Sequence, residues 1–490
     1  MSNLKEYYKS ILAYIFISFV LVMGSGLIKI HADSFWFYLV KFGIISTVLV
    51  LGLYFYFKQN ISSYLKLSLF VPFTIDFHLQ YAFIILTIIL FNKKLLVKWK
   101  GPLKPIYLLF IWSFISYIIN QFIEFNPVSF PLFIGTFFVP FTSFGLFYNF
   151  ANDEIKEDLK TFFKNIVFIM CAIVFAQAYF LCYEHPDHFS GGTQNAHIAA
   201  SFMTIAIMMA LYRKVFKVAG NDFSDLQDSL LLLTVPILLF FMDAKLFIVM
   251  VIFLILILIF TRIVKTYKNR IIGLILILLV IGYWYNFTER KLPLSLLAAE
   301  INSYTLDNVT ANYFEKPKGR LIREIVNIPT EDPLRFLIGS GPGTFNSRAA
   351  LLKHKIADNK DHVGLGGNRE GLAIHNYNFL EPTETRVQKK YADILNDKAN
   401  FMGSLYERKS TLLAIVYELG LVGICLFIYF FYMLFNRSFS LNGYNKMILF
   451  SLITTTIIIC YFSFWMELLN FSTINYAFIG LLINGKLRNE

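Results

Sequence analysis

Apolar runs of 14–22 residues alternate with short charged loops along most of this chain, and one long polar interval, Thr288 to Lys409, interrupts them. A stretch of roughly 17–25 apolar residues crosses a bilayer as a helix, because its backbone polar groups must be paired within the segment. The runs predict helices at about 10–30, 36–57, 105–123, 130–150, 161–183, 195–212, 271–287, 410–435, 446–463 and 464–485. Two further apolar tracts are split. Residues 61–92 are interrupted at Asp76-Phe-His78-Leu-Gln80, and residues 229–261 at Asp243-Ala-Lys245. Both tracts have basic residues on each flank. Lys and Arg concentrate on the cytoplasmic side, so equal flanks require an even number of crossings, and each tract is expected to hold two short helices.

The expected fold is therefore all-α and polytopic, with about 12–14 transmembrane helices and both termini cytoplasmic. Three parts follow: an N-terminal bundle, 1–287; a large loop domain on the outer side, 288–409; and C-terminal helices, 410–490. The loop carries 18 Lys/Arg against 15 Asp/Glu. It contains amphipathic stretches, Leu321–Ile328 and Val387–Leu405, which predict a mostly helical cap.

Composition sharpens this picture in two respects. Hydrophobic residues make up 57% of the 490 positions and charged residues 16%, against about 25% charged in a soluble domain. The net charge of +12 lies mostly between the spans, where it sets orientation, so a lipid bilayer and not nucleic acid is the expected partner. The four cysteines, Cys171, Cys182, Cys425 and Cys460, lie in or beside apolar runs without a Cys-x-x-Cys spacing. Neither a zinc site nor a disulfide framework is indicated. No Asp-x-Asp motif and no clustered His/Asp/Glu set suggests a metal, so no cofactor is expected.

The candidate chemistry gathers in Lys318–Glu381. His375-Asn376 is the sharpest pair: a histidine can accept a proton from a hydroxyl near neutral pH, and the asparagine can orient a polar substrate. Equally, it is a loop histidine without a role. The loop arginines Arg320, Arg323, Arg335, Arg348 and Arg369 suit bidentate contact with phosphate, or serve as surface partners of Glu324, Glu331 and Asp332. Arg320 and Arg323, three apart, would share a helix face. Gly339-Ser-Gly-Pro-Gly343 cannot be regular helix; it is either a structural turn or one that brings backbone N–H groups to an anion. Asp243 and Lys245, at the end of a span, are a functional candidate or a mutual ion pair.

In order along the chain, Gly191-Gly-Thr-Gln-Asn195, Phe240-Phe-Met-Asp-Ala-Lys245, Lys318-Gly-Arg320 with Gly339-Ser-Gly-Pro-Gly-Thr-Phe345, His375-Asn376 and Tyr417-Glu-Leu-Gly-Leu-Val-Gly423 resemble the motifs of the O-antigen ligase and O-antigen polymerase superfamily. The resemblance covers about 185–425. It departs from the family at Lys245, where arginine is usual, and in the insertion 382–411.

The resemblance implies a GT-C-like bacterial inner-membrane glycosyltransferase that needs no metal. It would use an undecaprenyl-diphosphate-linked oligosaccharide as donor and a glycan or lipid hydroxyl as acceptor, alongside other polysaccharide-assembly proteins. It implies His375 as general base, and Arg320, Lys245, Arg323, Arg348, Asn376 and Asn195 as diphosphate- or glycan-binding residues. Two alternatives stand beside it. One is a transporter or flippase of lipid-linked oligosaccharide; the other is a peptidoglycan polymerase relying on an acidic loop residue such as Glu384 or Asp361.

Overall fold

The computed structural model describes residues 2–25, 35–74, 77–95, 104–124, 129–180, 196–218, 222–242, 317–345, 410–441, 443–462 and 469–483, with isolated positions such as 191, 193, 347 and 390. Helices make up nearly all of this, and no strand occurs among the described residues. The N-terminal helices are α1 (Ser2–Gly24), α2 (Phe35–Phe57), α3 (Ile61–Phe70), α4 (Phe77–Leu95) and α5 (Lys104–Gln121). The middle of the chain forms α6 (Ser129–Phe133), α7 (Phe141–Phe150), α8 (Asp153–Phe180), α9 (Ala196–Val215) and α10 (Asp222–Phe241). The remainder comprises α11 (Pro317–Glu331), α12 (Pro333–Ile338), α13 (Thr411–Ser440), α14 (Gly443–Phe462) and α15 (Leu469–Ile483).

Among the described residues, six segments are long and apolar enough to cross a membrane: 38–57, 129–150, 153–180, 196–215, 411–440 and 443–461. Shorter apolar helices accompany them at 11–23, 61–73, 79–91 and 469–483. The split tract 61–92 is indeed two helices. Helix α3 tightens into a 3₁₀ turn, Val71–Phe73, and Thr74 leaves it in extended conformation. This break is buried: Phe73 is wedged against Phe163 of α8 and Phe202 of α9, with ring centroids 5.6 and 4.5 Å away.

Without a hydrophobic drive between helices in lipid, close backbone approach and polar contacts set the packing. The α7–α15 seam uses both. Ser143 Oγ donates to the Thr473 carbonyl at 2.9 Å, and Phe141 stacks on Tyr476 with centroids 3.9 Å apart. Gly480 lets the helices touch: a Cβ there would stand 2.5 Å from the Phe144 carbonyl oxygen. Gly480→Ala must therefore push α15 off α7, and a loss of about 1–3 kcal/mol is expected, read as a lower unfolding midpoint in detergent.

The start of α8 differs from the expectation of a helix near 161. The charged segment 153–160 resembles a loop in sequence, yet it continues the helix by two turns. Lys156, Lys160 and Lys164, spaced by four, are all buried. Their charges are met by carboxylates, some from distant segments. Lys164 Nζ contacts Asp228 Oδ1 of α10 at 2.6 Å, and Arg213 of α9 contacts Asp228 Oδ2 at 2.7 Å and Asp225 at 2.6 Å. Lys160 Nζ donates to Glu157 at 2.7 Å and to Asn445 of α14 at 2.8 Å, and sits 4.6 Å from the Tyr444 ring centroid. Asp228, fully buried, thus ties α8, α9 and α10 together.

Candidate functional site

Helix α13 kinks at Gly420, whose φ of 66° and ψ of −163° lie outside the helical region. A kink at glycine frees the carbonyls of the preceding turn from their helical partners, and in a membrane those must be paired elsewhere. All three find donors. The Tyr417 carbonyl accepts from Ser340 N at 2.9 Å and the Glu418 carbonyl from Gly341 N at 3.0 Å. The Leu419 carbonyl accepts from Trp112 Nε1 of α5 at 2.8 Å.

The donors on the far side come from the glycine loop that follows α12. Gly339, Gly341 and Gly343 have φ of 78°, 96° and 70°, which glycine adopts without steric cost. At 339 the demand is doubled, because a Cβ there would collide with the Glu418 backbone. At 420 a Cβ would stand 2.5 Å from the Leu337 carbonyl oxygen. The two glycines permit one close backbone crossing. Helix α5 seals it from the third side: Ser116 Oγ donates to the Ile338 carbonyl at 2.7 Å, and Asn120 Nδ2 to the Gly339 carbonyl at 3.3 Å.

The loop does gather backbone N–H groups around an anion, as its composition allows, and that anion belongs to the chain itself. Glu418, fully buried, accepts from Gly343 N through Oε2 at 2.6 Å, and from Phe345 N and Ser347 N through Oε1 at 2.9 and 3.0 Å. These donors are consumed in holding the loop to α13. A substrate phosphate would have to displace Glu418 to reach them.

Helix α11 is anchored to the same junction. Its Leu321 and Ile328 form a small apolar cluster with Phe345, Leu413 and Tyr417. Phe345 stacks on Tyr417 at 4.1 Å, and Tyr417 OH donates to the Leu321 carbonyl at 3.0 Å. The Arg335 guanidinium lies 5.7 Å from the Tyr417 ring centroid, a cation–π distance.

Beside the junction is a cavity of about 350 Å³. Tyr117, Asn120, Gln121 and Glu124 line it from α5 and the residues after it, Asp332 and Arg335 from α12 and its cap, and Ser340 and Thr344 from the glycine loop, with Lys390 completing the wall. Its size falls in the range of small-molecule sites. The mixture of an aromatic ring, two amides, two carboxylates and two cations suits a hydroxyl-rich or anionic guest.

Of the residues singled out from sequence, Arg320 is half-buried and Arg323 exposed, both on α11. The cavity wall carries Arg335, whereas neither Arg320 nor Arg323 is among the residues that border it. His375, Asn376, Lys245, Arg348 and Asn195 lie outside the described residues, as do the alternative acids Asp361 and Glu384. In the sequence Glu418 stands within the motif Tyr417–Gly423, and no role of its own is assigned to it. The clue was there: it is one carboxylate in the apolar run Leu412–Phe427, and an ionisable residue in such a run has a default claim to function.

Fold and site together define an all-α polytopic membrane protein in which a glycine loop is clamped into a kinked span. The chain matches no protein-family profile, and no curated protein matches it.

Proposed function

We propose that the protein is a membrane glycosyltransferase that moves a glycan from an undecaprenyl-diphosphate-linked donor to an acceptor hydroxyl at the outer face of the bacterial cytoplasmic membrane. One observation supports this reading above the others. Three segments far apart in sequence, Leu321–Ile328 on α11, the Gly339–Phe345 loop and Tyr417–Gly423, converge on one junction that borders a polar cavity of about 350 Å³.

In this reading His375 takes the proton from the acceptor hydroxyl as its oxygen attacks the anomeric carbon. The bond from that carbon to the diphosphate oxygen breaks, and the lipid diphosphate leaves with the electron pair. Positive charge must meet the diphosphate as it departs. Arg335 and Lys390 line the cavity for that task, with Arg320, Arg323, Lys245 and Arg348 as further candidates. Asn376 and Asn195 orient the glycan.

The reading is tested by glycan chain length on cells carrying His375→Ala or Arg335→Ala, with protein levels matched. Loss of polymer, with single lipid-linked repeats accumulating, is expected for a polymerase; full-length glycan left on its lipid is expected for a ligase. Each variant should lose at least ~100-fold in transfer, the scale of general-base and electrostatic catalysis. Unchanged product would refute the assignment. A transporter of the same lipid-linked glycan is the second reading, favoured by the broken α3–α4 pair, since discontinuous helices mark transporter sites.

A further inference from the structure

The break between α3 and α4 leaves backbone carbonyls without helical partners, and two side-chain amides cap them. Asn470 Nδ2 donates to the Pro72 carbonyl and Gln80 Nε2 to the Thr74 carbonyl, both at 2.8 Å. Each amide nitrogen is thereby fixed on a carbonyl, so each amide oxygen must face the other way. Gln80 Oε1 and Asn470 Oδ1, and likewise Thr473 Oγ1, are buried with no hydrogen-bond partner among the described residues. The residues are 1%, 0% and 5% exposed. Unsatisfied oxygens in such a place cost several kcal/mol each in hydrocarbon surroundings.

Gln80 and Thr473 border a cavity of about 10 Å³ together with Thr87, Thr142 and Ser143. The hydroxyl hydrogens of those three are already committed, to the carbonyls of Phe83, Val139, and Pro140 or Thr473 at 2.6–2.9 Å. The cavity therefore offers mostly lone pairs, with the hydroxyls of Ser68 and Thr473 as its remaining donors. It is at the lower limit of the ~10–15 Å³ that a water requires. A hard cation of Na⁺ or Ca²⁺ size sits closer to its oxygens, at roughly 2.3–2.6 Å, than a water does at ~2.7–2.8 Å. A divalent ion draws on carboxylates, and the described lining residues carry none.

We propose that the helix break is a binding site for one monovalent cation of Na⁺ size, held by Gln80 Oε1, Thr473 Oγ1 and neighbouring hydroxyl oxygens. Half-helix ends and neutral oxygens are how membrane proteins take up Na⁺ in general. The ion fixes the relative position of α3, α4, α7 and α15. This site is independent of the proposed glycosyl transfer.

The test uses purified full-length protein in detergent, with the unfolding midpoint measured in NaCl and in choline chloride of equal ionic strength, and with bound ²²Na⁺ counted. Wild type should melt roughly 3 °C or more higher in NaCl and retain close to one Na⁺ per chain. Thr473→Val should abolish the salt difference and the retained Na⁺. Equal wild-type midpoints in the two salts with no Na⁺ retained would overturn the proposal. In that case Thr473→Val, which removes an unpaired buried hydroxyl, should be more stable in both salts. The wild-type pair of measurements decides the matter even if the variant fails to fold.

Discussion

Replacing Asp228 with Asn is expected to destabilise the folded protein by about 3–5 kcal/mol, because it removes the carboxylate that two buried cations share. Lys164 and Arg213 both rest on this carboxylate, at 2.6 and 2.7 Å, and Asp228 is fully buried. Arg213 keeps Asp225 as a second partner at 2.6 Å, whereas Lys164 contacts no second carboxylate among the described residues. The loss should therefore fall when Lys164 is also replaced by Met, since the double variant removes the charge that Asn cannot meet. Unfolding in detergent of the two single variants and the double variant measures this coupling. A loss below ~1 kcal/mol for Asp228→Asn would mean that the network is hydrated and contributes as little as a surface pair.

The second large effect is expected at Glu418. Glu418→Ala removes the acceptor of three backbone N–H groups in a fully buried setting. Each orphaned donor carries a penalty of about 1–3 kcal/mol, so a loss above ~3 kcal/mol is expected, with residues 339–347 released from α13. Glu418→Gln should be milder. It retains an oxygen for Phe345 N and Ser347 N, and sets an amide N–H against Gly343 N alone. Limited proteolysis and the unfolding midpoint report the two effects separately. If Glu418→Ala leaves both unchanged, the carboxylate is not what holds the loop.

The helices were legible in the sequence because apolar runs and their flanking lysines carry the required physics. The broken tract 61–92 and the amphipathic stretch Leu321–Ile328 were equally readable, since each rests on local pattern. The buried lysines of α8 were not. Lys156, Lys160 and Lys164 have the spacing of a solvated helix face, and their burial depends on partners such as Asp228, 64 residues further on. The loop clamp was half readable. The glycines announced a turn with positive φ, but the anion it surrounds is 71–75 residues away, and no local pattern connects the two. Likewise Gly420 sits in a long apolar run where nothing nearby marks a kink; the kink exists because Gly339 meets it across the fold.

The central claim is that this junction serves glycosyl transfer from a lipid diphosphate. Its most direct test is to reconstitute the purified protein in liposomes with an undecaprenyl-diphosphate-linked oligosaccharide carrying a labelled sugar, together with an acceptor glycan. Release of free undecaprenyl diphosphate matched by label on the acceptor, absent in His375→Ala and Arg335→Ala, is the predicted result. Intact donor moved from one leaflet to the other with no diphosphate released would contradict it, and would make the protein a transporter.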